Sequence, residues 1–352
     1  NPNQLLHSLI KIFKNKELVN DSIVSKYQNQ FIKKKKKINS CSCIDDWIKL
    51  YKEIVYWEMQ ISYTENNDII DIIKSQKTQA NNLFSEYIEN NYEDLINEKK
   101  FVSSINLFKE KILNEISEEK PTLMILIDNL RYDQWKKIEP LVSENYSLKL
   151  DDIYCSILPT TTQYSRNSIF SGKSPLEISQ LHPEYWKDEF NDENKNKFEE
   201  ELLDKQIQNL KLDINYKYFK ILNNKNAAKF KSNLNNLKSN QLSVLVYNMV
   251  DMISHAKKDV KFIKEMTPTD NAYLELTESW FKSSILFDII KKAKEIGFKI
   301  IITTDHGTIK VNRPSHIKKI HVIKVLKCRV AAKCLKDYIE DLTSQDEKRK
   351  EE

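Results

Sequence analysis

Through the first third of the chain, apolar residues return every three or four positions, the spacing of helices that pack on other helices. It predicts helices over NPNQLLHSLIKIF (1–13), ELVNDSIVSKYQNQFIKK (17–34), IDDWIKLYKEIVYWEMQI (44–61), DIIDIIKSQKTQANNLFSEYIENNYEDLI (68–96) and INLFKEKILNEI (105–116). Within the third, Trp47, Leu50, Tyr51, Ile54 and Trp57 form one stripe. Near 119–121 the texture changes. TLMILI (122–127), LSVLVYN (242–248) and FKIIITT (298–304) are short apolar runs separated by helical stretches. Strands alternating with helices predict an α/β fold, a mostly parallel sheet with helices on both faces, preceded by an all-α segment. YKYFKIL (216–222) and YSLKLDDIYCSI (146–157) are weaker strand candidates, and the polar stretch 176–212 reads as an insertion or lid.

Composition narrows this only slightly. Forty per cent hydrophobic residues suit a globular protein, and 56 Lys and Arg against 51 Asp and Glu leave a net charge of +5. The one basic run, Lys33 to Lys37, has no interleaved aromatic residues and reads as a solvated helix end or loop rather than a nucleic-acid surface. Cys41, Cys43, Cys155, Cys328 and Cys334 form no CxxC pair, which fits a reducing compartment. No apolar stretch approaches a membrane span and no signal peptide opens the chain, so a cytoplasmic location is expected. The first residue is Asn, and the chain is expected to be a fragment.

The candidate chemistry sits where apolar runs end. Asp128 follows the first, Asp251 and His255 the second, and Asp305 and His306 the third. In a parallel sheet these carboxyl ends share one edge, where open α/β sheets place ligands. One Asp there is ordinarily a helix cap; a third Asp beside two Asp/His sets points to a metal. Asp251 and His255 are four apart and suit one helical face; Asp305 and His306 are adjacent and need the bend that Gly307 allows. In LPTTTQYSRNSIFSG (158–172) a Thr is expected at a helix N-terminus, a phosphate-binding position, with Arg166 one turn after Thr162 and poised for a phosphoryl oxygen. A Thr hydroxyl becomes a nucleophile when a metal coordinates it.

LIDNLRYDQW, LPTTTQYSRNSIFSGKSPLE, YNMVDMISH and IIITTDHGTI, in this order, resemble the PglZ domain of the alkaline phosphatase superfamily. Pro159, Thr160, Thr162, Ser171, Gly172 and Pro175 match the nucleophile region of its nucleotide phosphodiesterases. With the preceding helices, the chain looks most like PorX-type response regulators. The resemblance divides it into 1–16, the remnant of a receiver's last helix; 17–118, a helical linker; 119–316, the PglZ domain; and 317–352, a divergent tail. It implies an alkaline-phosphatase-like fold and one zinc held by Asp128, Thr162, Asp305 and His306, with a second held by Asp251 and His255. The implied activity is a zinc-dependent phosphodiesterase acting on nucleotides or oligonucleotides, the effector of a two-component response regulator, with Thr162 as nucleophile.

Two departures leave a second reading. The receiver's phospho-accepting Asp is missing, and no downstream His matches the one that completes the family's second metal site; His316 and His321 are the candidate replacements. The unmatched downstream His motivates the alternative, a catalytically impaired module that binds signalling proteins. A phosphomonoesterase or phosphotransferase would share the same ligands. A homodimer is expected from the resemblance alone.

Overall fold

A computed structural model describes residues 36–61, 67–97, 101–186, 195–248 and 269–308, with positions 261, 265 and 267. The chain divides into two compact units, Asn1–Asn90 and Asn91–Glu352.

In the first unit, α1 (Ile44–Ile61) packs on the early part of α2 (Asn67–Asn97). Trp57 and Ile61 near the end of α1 bury against Ile69 and Ile73, while Trp47 and Leu50 near its start bury with Ile38 and Ala80. Late residues of one helix thus meet early residues of the next, an antiparallel hairpin. The Trp47 ring lies 5.4 Å from that of Phe84 and 6.1 Å from that of Tyr87. The expected stripe holds at Trp47, Leu50 and Trp57, but Tyr51 is 42% exposed, at the stripe's margin. The helices expected over 1–13 and 17–34 lie outside the described residues.

The second unit is built on a parallel sheet of β1 (Thr122–Ile127), β2 (Tyr216–Ile221), β3 (Leu242–Tyr247) and β4 (Lys299–Thr303). Their order is β2-β3-β1-β4, and each neighbouring pair is parallel. β1 and β3 are buried along their whole length, which is why they read as unbroken apolar runs. Their side chains alternate between two cores. Leu123, Ile125, Ile127, Leu245 and Tyr247 face α3 (Tyr132–Ser143), α7 (Asn224–Asn233), α8 (Asp270–Ser283) and α9 (Ile285–Ile296). Met124, Leu126, Leu242, Val244 and Val246 face α4 (Thr162–Ser171), α5 (Pro175–Leu181) and α6 (Glu199–Asn209). Each fully buried Leu or Ile contributes roughly 1.5–3 kcal/mol, so the two cores hold the sheet rigid beneath whatever its edge carries.

The α/β class, the parallel sheet and helices on both faces match the expectation from sequence. Two local expectations need correction. Residues 105–116 form no α-helix: a π turn, Phe108–Ile112, runs into a 3-10 turn, Leu113–Glu115. Residues 146–157 form no strand; they make one isolated bridge, Ser103 to Cys155. Their backbone is satisfied elsewhere, the Cys155 N–H by the Val102 carbonyl and the Ile157 N–H by Ser104 Oγ. The weaker candidate at 216–222 is the edge strand β2. Within the expected insertion, 176–212, helices α5 and α6 pack on the sheet's core.

Gly172 ends α4 in the left-handed region, φ 66°. A Cβ there would clash with the side-chain amide of Gln206, which is itself buried. Gly172→Ala is therefore expected to lower stability by about 2 kcal/mol, measured by urea unfolding.

Candidate metal centre at the carboxyl edge of the sheet

Ile127 pairs with Tyr247 and Leu126 with Thr303, so β1, β3 and β4 leave the sheet at nearly one level. Asp128 follows β1 directly, its N–H still bonded to the Tyr247 carbonyl at 3.0 Å. Asn129 then turns the chain at φ 62°, a left-handed conformation that Asn tolerates better than most residues. This turn is tied to the one after β4. The Asn129 N–H donates to Asp305 Oδ1 at 3.1 Å, and the Leu130 N–H to Thr304 Oγ1 at 3.0 Å.

β4 stops at Thr303, so Asp305 and His306 do not diverge as neighbours in a strand would. The His306 N–H donates to Asp305 Oδ1 at 2.9 Å, and Thr304 Oγ1 donates to the His306 carbonyl at 2.8 Å. From outside, the Tyr154 hydroxyl donates to the backbone carbonyls of Thr304 and Asp305, and Ser156 Oγ donates to the Asp305 backbone carbonyl at 2.9 Å. Burial, with Asp305 nearby, keeps the Tyr154 phenol well above its usual range, so it stays a donor. A Cβ on Gly307 would come within 3.3 Å of Arg131 Cγ, so the small residue lets the two turns approach closely.

Thr162 is the first residue of α4; the N-cap is Thr161, which is exposed and makes no capping bond. Thr162 Oγ1 lies 2.9 Å from His306 Nε2. That nitrogen is 3.8 Å from Asp128 Oδ1 and 3.9 Å from Asp305 Oδ2. One ligand atom from each of Asp128, Asp305 and His306 lies within 4.8 Å of the others. His306 Nδ1 faces the Gly307 carbonyl at 3.2 Å, and an Nδ1–H donating there leaves Nε2 turned toward the cluster.

The donor set fits a metal ion. Tetrahedral zinc, with ligands near 2.0–2.1 Å, separates them by about 3.4 Å, within the spread of the 2.9, 3.8 and 3.9 Å distances measured from His306. Asp128 Oδ1 and Asp305 Oδ2, the oxygens facing His306, are buried and have no hydrogen-bond partner among the described residues. A buried polar atom in that state is costly unless something else satisfies it. Burial pushes the Asp305 carboxyl up to about 7, Asp128 pushes it the same way, and Arg166 and His306 oppose them. Two buried carboxylates side by side call for a cation.

Arg166 supplies part of that charge. It is 2% exposed, and its Nη1 donates to Asp128 Oδ2 at 2.7 Å and to Asn248 Oδ1 at 3.4 Å, while its Nε donates to Glu199 Oε1. Asp305 Oδ2 is 3.7 Å from the same Nη1. Burial disfavours the guanidinium charge, but Glu199, Asp305 and Asp128 outweigh it and hold the pKa above its usual value. The helical spacing does bring Arg166 beneath Thr162, yet these N–H groups are directed at protein acceptors instead of outward toward a phosphoryl oxygen. Behind it, Glu199 also meets Lys220 Nζ at 3.1 Å and the Tyr218 hydroxyl. Asn196 ties this group to the start of α4, donating to the Thr162 carbonyl at 3.2 Å and accepting from Lys220 at 2.8 Å.

Sequence reasoning missed Glu199, Tyr218, Lys220, Asn196, Tyr154 and Ser156. A signal existed for Glu199 alone: it begins the stripe Glu199, Leu202, Leu203, Gln206 that α6 buries. The structure thus brings Asp128, Thr162, Arg166, Asp305 and His306 together. Asp251, His255 and His316 lie outside the described residues.

Among the described residues no helix is long and apolar enough to cross a membrane. Residues 107–329 match the family model of the BREX system PglZ alkaline phosphatase-like domain, and residues 17–96 match that of the PorX response regulator linker domain. No curated protein matches the chain. With this edge and these matches, the chain belongs to the PglZ alkaline phosphatase-like family and carries it behind a PorX-type linker, a hydrolase-like effector in a response-regulator setting.

Proposed function

We propose that the chain is a zinc-dependent phosphodiesterase that cleaves nucleotide or oligonucleotide substrates with Thr162 as nucleophile. The observation that carries this reading is the hydroxyl of Thr162 standing 2.9 Å from His306 Nε2, beside two buried carboxylate oxygens that lack hydrogen-bond partners among the described residues. A cation held by Asp128, Asp305, His306 and Thr162 Oγ1 would favour the deprotonated hydroxyl and offset negative charge on the phosphoryl oxygens.

The chain's own groups account for the rest. Thr162 and His306 are half-buried whereas Asp128 and Asp305 are buried, so a substrate reaches the hydroxyl from the solvent side. The Thr162 oxygen forms a bond to phosphorus as the bond to the leaving alcohol breaks, and the hydroxyl proton passes to solvent while the alcohol takes one up. Water then attacks the resulting threonyl phosphodiester, which still carries the second alcohol, releasing that alcohol's phosphate monoester and restoring the hydroxyl. The attack occurs at the first turn of a ten-residue helix, whose dipole favours the added negative charge. Arg166 holds Asp128 from behind, and Asn196 holds the Thr162 backbone. The substrate class rests on the family resemblance.

Chelation of the full chain is expected to abolish hydrolysis of bis(4-nitrophenyl) phosphate, and zinc to restore it. Elemental analysis should find about one zinc per chain for this centre, and about two if Asp251 and His255 hold another. A folded chain that binds no zinc and cleaves no diester would be the interaction module instead.

A further inference from the structure

We infer that Glu199 is a positioning residue for the metal centre: acting through Arg166, it determines which oxygen of Asp128 is left facing the cation. This rests on the metal reading above. Asp128 has two oxygens, and among the described residues only one is held. Arg166 Nη1 takes Oδ2 at 2.7 Å, and Oδ1, with no hydrogen-bond partner among those residues, points toward His306 Nε2 at 3.8 Å. A guanidinium is planar, so fixing Nε fixes the direction of Nη1. Glu199 Oε1 does that fixing from the opposite side of the group.

Its burial is not explained by its place at a helix start. Acidic residues in a first turn favour the helix dipole, but Glu200 and Glu201 occupy that turn from solvent. Glu199 is 1% exposed, and burying a carboxylate costs several kcal/mol unless its partners compensate. The partners come from separate elements: Arg166 from α4, and Tyr218 and Lys220 from the edge strand β2, both on Oε2. Burial and the Glu199 carboxylate both raise the Tyr218 phenol far above its usual range, so it remains a donor. The edge strand is thereby linked through Glu199 and Arg166 to Asp128, two strands away, at the end of β1.

The charge argument points the same way. Glu199 neutralises part of the positive charge of Arg166. Without it, that charge falls on Asp128 and weakens its attraction for a second cation.

The test is zinc affinity of the full chain, by competition with a chromophoric chelator, alongside thermal unfolding of the metal-free protein. Glu199→Gln keeps an oxygen for Arg166 Nε but removes the charge, and it is expected to weaken zinc binding roughly 10–100-fold. Glu200→Gln, in the same helical turn, should leave the affinity unchanged. A Glu199→Gln protein that binds zinc like the wild type overturns the inference alone, whereas a wild type that binds no zinc overturns the metal reading as well. If Glu199→Gln does not fold, Tyr218→Phe decides, because it removes a donor to Glu199 without altering any charge. A loss of roughly severalfold in zinc affinity is expected, and an unchanged affinity overturns the inference.

Discussion

Thr162→Ala is expected to reduce zinc-dependent hydrolysis of bis(4-nitrophenyl) phosphate by ~10³-fold or more, because the atom proposed to bond to phosphorus is gone. The fold should survive. Thr162 is half-buried and its hydroxyl has one partner among the described residues, His306, so removing it leaves no large cavity and breaks none of the described ion pairs. Zinc affinity should fall much less than the rate, since three protein ligands remain. Thr162→Ser keeps the oxygen and should retain activity to within about tenfold. Thr161→Ala is the internal control: its side chain makes no capping bond, and the rate should not change. A Thr162→Ala enzyme with the wild-type rate would remove Thr162 from the chemistry and leave water as the attacking group at the same metal.

The parts of this molecule legible from sequence are those in which one local pattern determines the outcome. TLMILI and LSVLVY read as strands because both faces of β1 and β3 are covered, and such burial permits no polar interruption. Parallel strands place their carboxyl ends on one edge, so Asp128 and Asp305 could be brought together before any coordinates were known. The spacing of Thr162 and Arg166 gave the shared helical face in the same way. What Arg166 touches did not follow. Its Nε acceptor, Glu199, is 33 residues further along the chain, the first of three consecutive Glu residues at the head of a helix, and only its place on the buried stripe of that helix sets it apart from the other two. Residues 146–157 failed for a related reason: Tyr154 and Ser156 look like strand positions, but their hydroxyls hold the turn after β4. Side chains that bind loop carbonyls leave no periodic trace.

Arg166→Leu is expected to cost about 3–5 kcal/mol, because it removes the guanidinium from between buried carboxylates and leaves them uncompensated. Asp128 and Glu199 lose their closest cation and Asp305 loses one at 3.7 Å, with Lys220 left to face Glu199 alone. In thermal unfolding of the metal-free chain this corresponds to a drop of roughly 6–20 °C. Arg166→Lys separates charge from shape. An ammonium restores the positive charge but cannot span from Glu199 to Asp128 as the planar fork does. If charge dominates, Lys recovers most of the loss; if the fork dominates, Lys and Leu unfold together. A Leu variant as stable as the wild type would mean that the carboxylates at this edge are protonated in the metal-free protein, and the attraction proposed to draw a cation to Asp128 and Asp305 would then be absent.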